Sequence, residues 1–276
     1  VQLLKNTVSA MRQHSLRWAT VCGIPKERMD RCSLETTPRR VQVLGERHSG
    51  TDALEESLTE NFLVDPDHFF DYSHKHMLQM TKTNVTTYRD AMARLKRDGT
   101  PTVVIARSPY AWLEAMHRRP YHVPWMAGLG FEAFIKTPWP AHIAERMVKK
   151  IHNYPQAFES IVALRAFKLR FWIDHLKDVA LFVRFEDISP DSGITVACDV
   201  VRKLDLCPRG PAVEPLVHVV GPDRSVRKAA YTAAPNTRDV RDATRLANSP
   251  ALRNWIDARL DWGAEGFFGF RKFGAA

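Results

Sequence analysis

Short apolar blocks alternate with segments of helical spacing along this chain. Three blocks are rich in apolar or β-branched residues and predict buried strands: residues 41–44, 102–106 and 179–183. After the first block, Leu54, Leu58 and Phe62 recur at the spacing of one helix face, which predicts a helix over 51–62. Further helices are expected at 88–96, 110–118 and 157–177. This alternation predicts an α/β fold in which a central parallel sheet is flanked by helices.

Three other stretches have less regular patterns. Residues 1–40 are basic and contain several turn signals, so we expect an N-terminal extension with a helix or two and then a linker. Phe69 and Phe70 predict a second short strand or the end of one. Residues 119–142 are rich in proline and tryptophan and show little periodicity, which predicts a long loop.

The segment that joins the first strand to the next helix reads GERHSGT and has the layout of a phosphate-binding loop. Such a turn presents backbone N–H groups and the positive end of the helix dipole to an anion. The spacing of Gly45 and Gly50 matches the nucleotide-hydrolase P-loop, but Thr51 stands where that motif has lysine. The groups that hold terminal phosphates and magnesium are thus missing. We expect the loop to hold a phosphate-type group without a metal.

Four segments resemble, in chain order, the motifs of the sulfotransferases that use the donor 3′-phosphoadenosine 5′-phosphosulfate (PAPS): GERHSGTDAL, SHKHML, ARSPYAWLEA and LFVRFEDI. The resemblance implies a P-loop-NTPase-like sulfotransferase architecture in one domain over 1–276. It implies transfer of the sulfuryl group from PAPS to an acceptor hydroxyl or amine by in-line displacement. The product is adenosine 3′,5′-bisphosphate (PAP), and no metal is required. Arg184 and Glu186 of the last segment are expected to hold the strand end beside the site.

The same resemblance assigns the donor-binding residues. The 5′-phosphosulfate group is expected on the loop, at Gly45, Arg47, His48, Ser49, Gly50, Thr51 and Asp52. The 3′-phosphate is expected at Arg107, because a guanidinium at a strand end can donate two parallel hydrogen bonds to it. Ala115 occupies the position at which the family carries a serine, so that hydroxyl contact is missing; His117 or Arg118 could compensate. Arg227 or Lys228 is expected to supply a second arm.

The segment SHKHML supplies the expected catalytic groups. By resemblance, His76 is the general base and Lys75 the cation near the leaving oxygen. The two residues are adjacent here, whereas the family separates them by one residue, so the register stays open. Either Arg47 or His48 takes the place of the family's loop cation, and both are candidates. A positioned histidine with a pKa of about 6.5 typically contributes ~10²–10⁴-fold to the rate.

The overall charge bears on the acceptor. With 40 basic and 31 acidic residues the net charge is +9, which favours an anionic partner. The acceptor is expected to be a small molecule or a glycan, and the charge suits an anionic one. Trp125 and Trp139 could line its site or pack within their own segment. No nucleic-acid-binding motif is evident, and no apolar run is long enough to span a membrane.

Cysteines and glycosylation signals bear on the compartment. No metal-binding spacing is present, so the alternatives are two disulfides or four thiols from Cys22, Cys32, Cys198 and Cys207. A glycosylation sequon begins at Asn84. From its start at Val1 instead of Met we expect a trimmed chain, from which a targeting or anchoring segment could have been removed. These features favour the Golgi lumen over the cytoplasm.

Two other functions fit parts of the pattern. A nucleotide kinase or hydrolase could use the same loop, but it needs magnesium and a lysine after Gly50. A non-catalytic module could retain the nucleotide site without turnover, and Ala115 and His48 are the departures that favour it.

Overall fold

The computed structural model describes residues 18–69, 71–76, 87–120, 123–141, 157–189, 192–210 and 249–272. Its strands are β1 (Gln42–Gly45), β2 (Thr102–Ala106) and β3 (Ala180–Arg184). Its helices are α1 (Lys26–Cys32), α2 (Thr51–Asn61), α3 (Tyr88–Arg97), α4 (Pro109–Arg118), α5 (Phe131–Lys136), α6 (Ile161–Leu176), α7 (Gly193–Leu204), α8 (Pro250–Asp257) and α9 (Trp262–Phe267). Single turns of 3₁₀ helix occur at Pro66–His68, Pro124–Met126 and Phe185–Asp187.

The three strands form one small parallel sheet in the order β1-β2-β3. Gly45 at the end of β1 pairs with Ile105, and Ile105 pairs in turn with Val183. The predicted α/β class and the three predicted strands are therefore confirmed within one or two residues. Because all strands run the same way, their carboxyl ends lie at one edge, where such folds bind ligands.

Alternate residues of each strand point to opposite faces of the sheet, and each face is covered by its own helices. We call the first the disulfide face; it buries Val43, Ile105 and Val183 under α1, α2 and α7. We call the second the ionic face; it buries Leu44 and Val104 under α3, α4, α5, α6, α8 and α9. Helices on both faces explain why β1 and β2 are buried at every position.

Two disulfides cross-link the first of these faces. Cys22 is bonded to Cys198, and Cys32 to Cys207, so the segment around α1 is tied to α7 and to the chain that follows it. Of the two alternatives for the four cysteines, the structure has the disulfides. Residues 18–32 also contribute Trp18 and Met29 to the apolar core of this face.

The segment 119–142, of which the structure describes 119–120 and 123–141, contains more regular structure than the loop prediction implied. It contains α5 and a 3₁₀ turn, and its Trp139 is buried against Phe134 with ring centroids 6.0 Å apart. Trp125 is 55% exposed. Packing of aromatic side chains onto the core, and not helical periodicity, thus holds this proline-rich stretch. The expectation of one long irregular loop was wrong for this part.

The predicted strand at Phe69 is also wrong. Phe69 is buried directly after a 3₁₀ turn, and Phe70 lies outside the described residues. The buried amide of Gln42 holds the passing chain instead: its Nε2 donates to the carbonyls of Phe69 (2.8 Å) and Ser73 (3.0 Å). Its Oε1 accepts from the backbone N–H groups of Tyr72 and Ser73. A side chain of β1 therefore replaces a strand ladder and brings residues 74–76 to the carboxyl edge of the sheet.

Candidate functional site

The loop between β1 and α2 forms a compact turn. The Oγ atom of Ser49 donates to the carbonyl of Glu46 (2.6 Å), and the backbone N–H of Ser49 donates to the same oxygen (3.1 Å). His48 and Gly50 both have left-handed backbones, with φ of 61° and 91°. A left-handed histidine is uncommon and often marks a functional loop. Thr51 and Asp52 open α2, whose first N–H groups lack partners within the helix, as at the start of any α-helix.

Both glycines of the loop are required by the protein's own packing. A Cβ atom on Gly50 would lie 2.2 Å from the ring of Phe185. A Cβ on Gly45 would lie 2.7 Å from both Ile105 and the hydroxyl of Ser49. The glycine spacing is thus explained by the contact between the loop and the neighbouring strands, and it does not by itself require a ligand.

Arg107 reaches the same place from the end of β2. Its guanidinium lies 4.8 Å from the centroid of the Phe185 ring, the ring that also packs against Gly50. Glu186, next in the chain, accepts a hydrogen bond from the backbone N–H of Ser108 (2.8 Å). Burial raises the pKa of the Glu186 carboxyl, although this hydrogen bond and nearby arginines oppose the shift. The three motifs that follow β1, β2 and β3 therefore meet at one edge of the sheet, the edge to which residues 74–76 of the fourth motif are also brought.

The cationic pair of the loop divides into two different groups. The Nε2 atom of His48 lies 3.0 Å from the carbonyl of Arg119, so that nitrogen carries the proton and donates. Burial lowers the pKa of His48, and the charges of Arg107, Arg119 and Arg47 lower it further. His48 is therefore neutral at pH 7, and Arg47 carries the charge of this pair. The carbonyl of Arg47 is fixed by the indole N–H of Trp112 (2.7 Å).

His76 and Lys75 lie directly on the end of β1. The backbone N–H of Gly45 donates to the carbonyl of Lys75 (2.7 Å), and Nδ1 of His76 is 3.0 Å from the carbonyl of Gly45. A carbonyl only accepts, so Nδ1 carries the proton and Nε2 holds the lone pair. Burial lowers the pKa of His76 to about 2, helped by the charges of Arg47 and Lys168. The imidazole is thus neutral and has the tautomer of a general base.

Lys75 is held by two carboxylates of α2. Its Nζ contacts Asp52 and lies 3.2 Å from Oε2 of Glu55. Burial raises the pKa of Glu55 to about 7, while Lys75 acts in the opposite direction. A carboxyl that titrates near neutrality beside the predicted base is a second group able to accept a proton. The sequence contains no signal that separates Glu55 from Glu56, and for this reason the pattern did not single it out.

Four other predicted residues have different placements. Ala115 is buried within α4, and Nε2 of the neighbouring His117 donates to the Leu129 carbonyl (2.9 Å) beside the ring of Phe131. That carbonyl only accepts, so His117 is oriented toward α5. Arg227 and Lys228 lie outside the described residues.

A fully buried arginine holds the loop through the carboxylate of Glu46. Arg165, on α6, donates from Nε (2.6 Å) and Nη2 (2.7 Å) to the carboxylate of Glu265 on α9. Nη1 contacts the carboxylate of Glu46, and Nη2 donates to the carbonyl of Arg107 (2.8 Å). Its guanidinium lies 5.0 Å from the centroid of Trp112. Burial alone would lower the pKa of Arg165, but Glu265 and Glu46 reverse that and raise it, so the charge is permanent.

Sequence patterns missed this arginine because a charged residue in an amphipathic helix usually faces solvent. Its partners are 119 residues before it and 100 residues after it, so no local spacing connects them. Contacts of this kind become visible only when the fold has brought distant segments together.

Among the described residues, no group of histidine, cysteine or acidic side chains is arranged to hold a metal ion. In the same part of the chain, no helix has the length and apolar character needed to cross a bilayer. Comparisons of this chain with protein-family models, with curated proteins and with solved structures found no match.

Proposed function

We propose that this protein is a PAPS-dependent sulfotransferase. The observation that carries the proposal is the convergence of the loop, Arg107 and His76. These features are far apart in the sequence, yet all three meet around Gly45 and the Phe185 ring. A nucleotide with phosphate-type groups at both its 5′ and 3′ ends would use two separate cationic positions, and Arg47 and Arg107 supply them.

The residues of the loop fit the 5′ end of such a donor. When bound, PAPS supplies an activated sulfuryl group and a phosphate leaving group. The N–H groups at the start of α2 stabilise negative charge that develops on the leaving oxygen. Arg47, which is charged where His48 is neutral, takes the position of the family's loop cation. Lys75 lies beside the same helix turn and supports the same charge.

Two groups are placed to take the proton of the acceptor. His76 has its Nε2 lone pair available because Nδ1 is committed to the Gly45 carbonyl. Glu55 is the alternative base, since its pKa of about 7 matches neutral conditions better than the pKa of about 2 at His76.

The net charge of +9 suits an anionic acceptor such as a glycan. The disulfides suit an oxidising compartment, and we propose the lumen of the secretory pathway.

The experiment that tests this function has two steps. Titration calorimetry with PAP should show binding, and Arg107→Ala should weaken it at least about tenfold because a phosphate loses a charged hydrogen-bond partner. A PAPS-supplied acceptor screen read by mass spectrometry should then show a gain of one sulfuryl group. His76→Ala should keep the affinity for PAP and lower turnover by ~10²–10⁴-fold. Turnover near that of the wild type would leave Glu55 as the base, which Glu55→Gln then tests.

The alternatives have distinct outcomes in the same experiment. PAP binding without transfer to any acceptor would favour a non-catalytic nucleotide-binding module. Magnesium-dependent release of phosphate from a nucleoside triphosphate would favour a kinase or hydrolase. Absence of PAP binding would overturn the proposed function.

A further inference from the structure

Three segments that are distant in the sequence meet at the side chain of Arg165. Glu46 is the first residue after β1 and lies in the predicted phosphate loop GERHSGT, and Arg107 is the first residue after β2. Glu265 lies on α9, near the end of the described chain. All three accept hydrogen bonds from one guanidinium that is 0% exposed. The two predicted anchor points of the donor are therefore connected through a single buried group.

The geometry of a guanidinium makes this connection rigid. Its N–H groups lie in one plane at fixed angles, so the positions of its acceptors are set relative to one another. Glu265 accepts from Nε and Nη2 and thereby sets the plane of the fork. The directions of the remaining donors, toward Glu46 and the Arg107 carbonyl, follow from that plane. A lysine could supply the charge but not these directions.

We propose that Arg165 is a positioning residue that couples the phosphate loop to Arg107, and that Glu265 of α9 controls this coupling. The proposal rests on the proposed function for its donor-binding consequence, whereas the coupling itself depends only on the contacts. Glu265 of α9 sets the plane of the Arg165 guanidinium, and through it the spacing between the loop and the end of β2. Donor affinity should therefore respond to a substitution at Glu265, which acts through Arg165.

The variants are Glu265→Gln and Arg165→Lys. Glutamine keeps the size of the side chain and one acceptor, and the Arg165–Glu46 ion pair remains, so the fold is expected to persist. The matched control is Asp261→Asn, because Asp261 forms an exposed ion pair with Arg170 that joins the same two helices. Asparagine can also keep the cap bond to the N–H of Ala264.

Two measurements are made on each purified full-length chain. Calorimetry with PAP gives donor affinity, and amide hydrogen exchange of the peptide that spans 45–51 gives the order of the loop without any ligand. We expect Glu265→Gln and Arg165→Lys to weaken PAP binding about tenfold or more and to speed loop exchange by a similar factor. Asp261→Asn should leave both quantities within twofold of the wild type, even where its melting temperature falls.

Unchanged loop exchange in Glu265→Gln, together with wild-type affinity for PAP, would overturn the proposal and leave Arg165 a purely structural residue. An equal loss in Asp261→Asn would also overturn it, since the effect would then follow from general loosening of α6 and α9. Should the wild-type chain bind no PAP, the proposed function fails, and the exchange measurement alone decides the coupling.

Discussion

The two faces of the sheet are stabilised in different ways. The disulfide face is apolar and covalently linked: it has both cystine bridges, and no charged residue of α1, α2 or α7 is fully buried. The ionic face has no cystine among the described residues, but its helices bury Glu114, Arg165, Lys168 and Glu265. Buried charges are costly unless they are paired, so they are weak evidence of added stability. We infer that the disulfide face mainly stabilises the fold, whereas the ionic face mainly sets the position of the loop between β1 and α2.

The predicted phosphate loop is positioned by both faces at once. Gly50 packs on Phe185, which belongs to the core of the disulfide face, whereas Glu46 is held by Arg165 within the ionic face. Changes on the two sides should therefore have different consequences. Damage to the disulfide face should mainly lower stability, whereas damage to the ionic face should mainly alter binding.

The largest expected effect is the loss of both disulfides. The two bridges close nearly the same long loop, with sequence separations of 176 and 175. Once one bridge is present, the other closes a cycle of only about 20 residues, so removing one pair should cost about 3 kcal/mol. Removing the second pair should cost about 5 kcal/mol more, because the long loop then opens. The measurement is urea unfolding of Cys22→Ala/Cys198→Ala, of Cys32→Ala/Cys207→Ala and of the quadruple variant.

The two variants that each lack one disulfide serve as controls for each other and for the quadruple variant. Either pair removed alone should give a similar loss, and the quadruple variant should lose more than the sum of the two. Simple additivity would contradict the account in which both bridges restrict the same unfolded loop. If either single pair already prevented folding, this face would depend on local packing around that cystine.

The sheet was predictable because β1 and β2 are buried on both faces, which produces continuous apolar runs such as TVVIA. The three motifs that meet at its edge were predictable for a related reason: parallel strands bring their following loops together. The path of the segment 69–76 was not predictable, because Gln42 holds it through side-chain hydrogen bonds that leave no periodic pattern in the sequence. The sequence also could not tell which of Arg47 and His48 carries the charge of the loop. That depends on the hydrogen bond of His48 to the Arg119 carbonyl and on the burial of its ring.

The next largest effect is expected at Gly50, where the loop meets the disulfide face. Gly50→Ala adds a Cβ atom 2.2 Å from the Phe185 ring to a residue with φ of 91°. The left-handed backbone costs about 1–2 kcal/mol for alanine, and the overlap adds about 1–3 kcal/mol. We expect a loss of about 2–5 kcal/mol in the free energy of unfolding, measured in urea, and loss of PAP binding.

Gly99→Ala is the matched control for this substitution. Gly99 is also left-handed, with φ of 61°, but a Cβ there would meet nothing within 4 Å. It should therefore cost only the backbone part, about 1–2 kcal/mol, and leave PAP binding unchanged. Equal losses in the two variants would mean that contact with Phe185 does not position the loop.

The smallest effect concerns Glu55, at the border between α2 and the segment 74–76. Its folded pKa of about 7 lies above the ordinary value of 4.5, so the folded protein binds more protons than the unfolded chain between these pH values. This contribution to stability is present below about pH 4.5 and is lost as the pH rises through 7. At about 1.4 kcal/mol for each pKa unit, the loss between pH 5 and pH 8 is about 2–3 kcal/mol.

Glu55→Gln removes this titration, so the stability of the variant relative to the wild type should rise by that amount from pH 5 to pH 8. Urea unfolding at several pH values measures the difference. Glu60→Gln, which removes an exposed carboxylate from the same helix, controls for the loss of one charge and should keep the wild-type slope. If Glu55→Gln also kept that slope, Glu55 would be fully ionised beside Lys75 at neutral pH. It would then be an ordinary ion-pair partner, and His76 would be the better placed of the two proton acceptors.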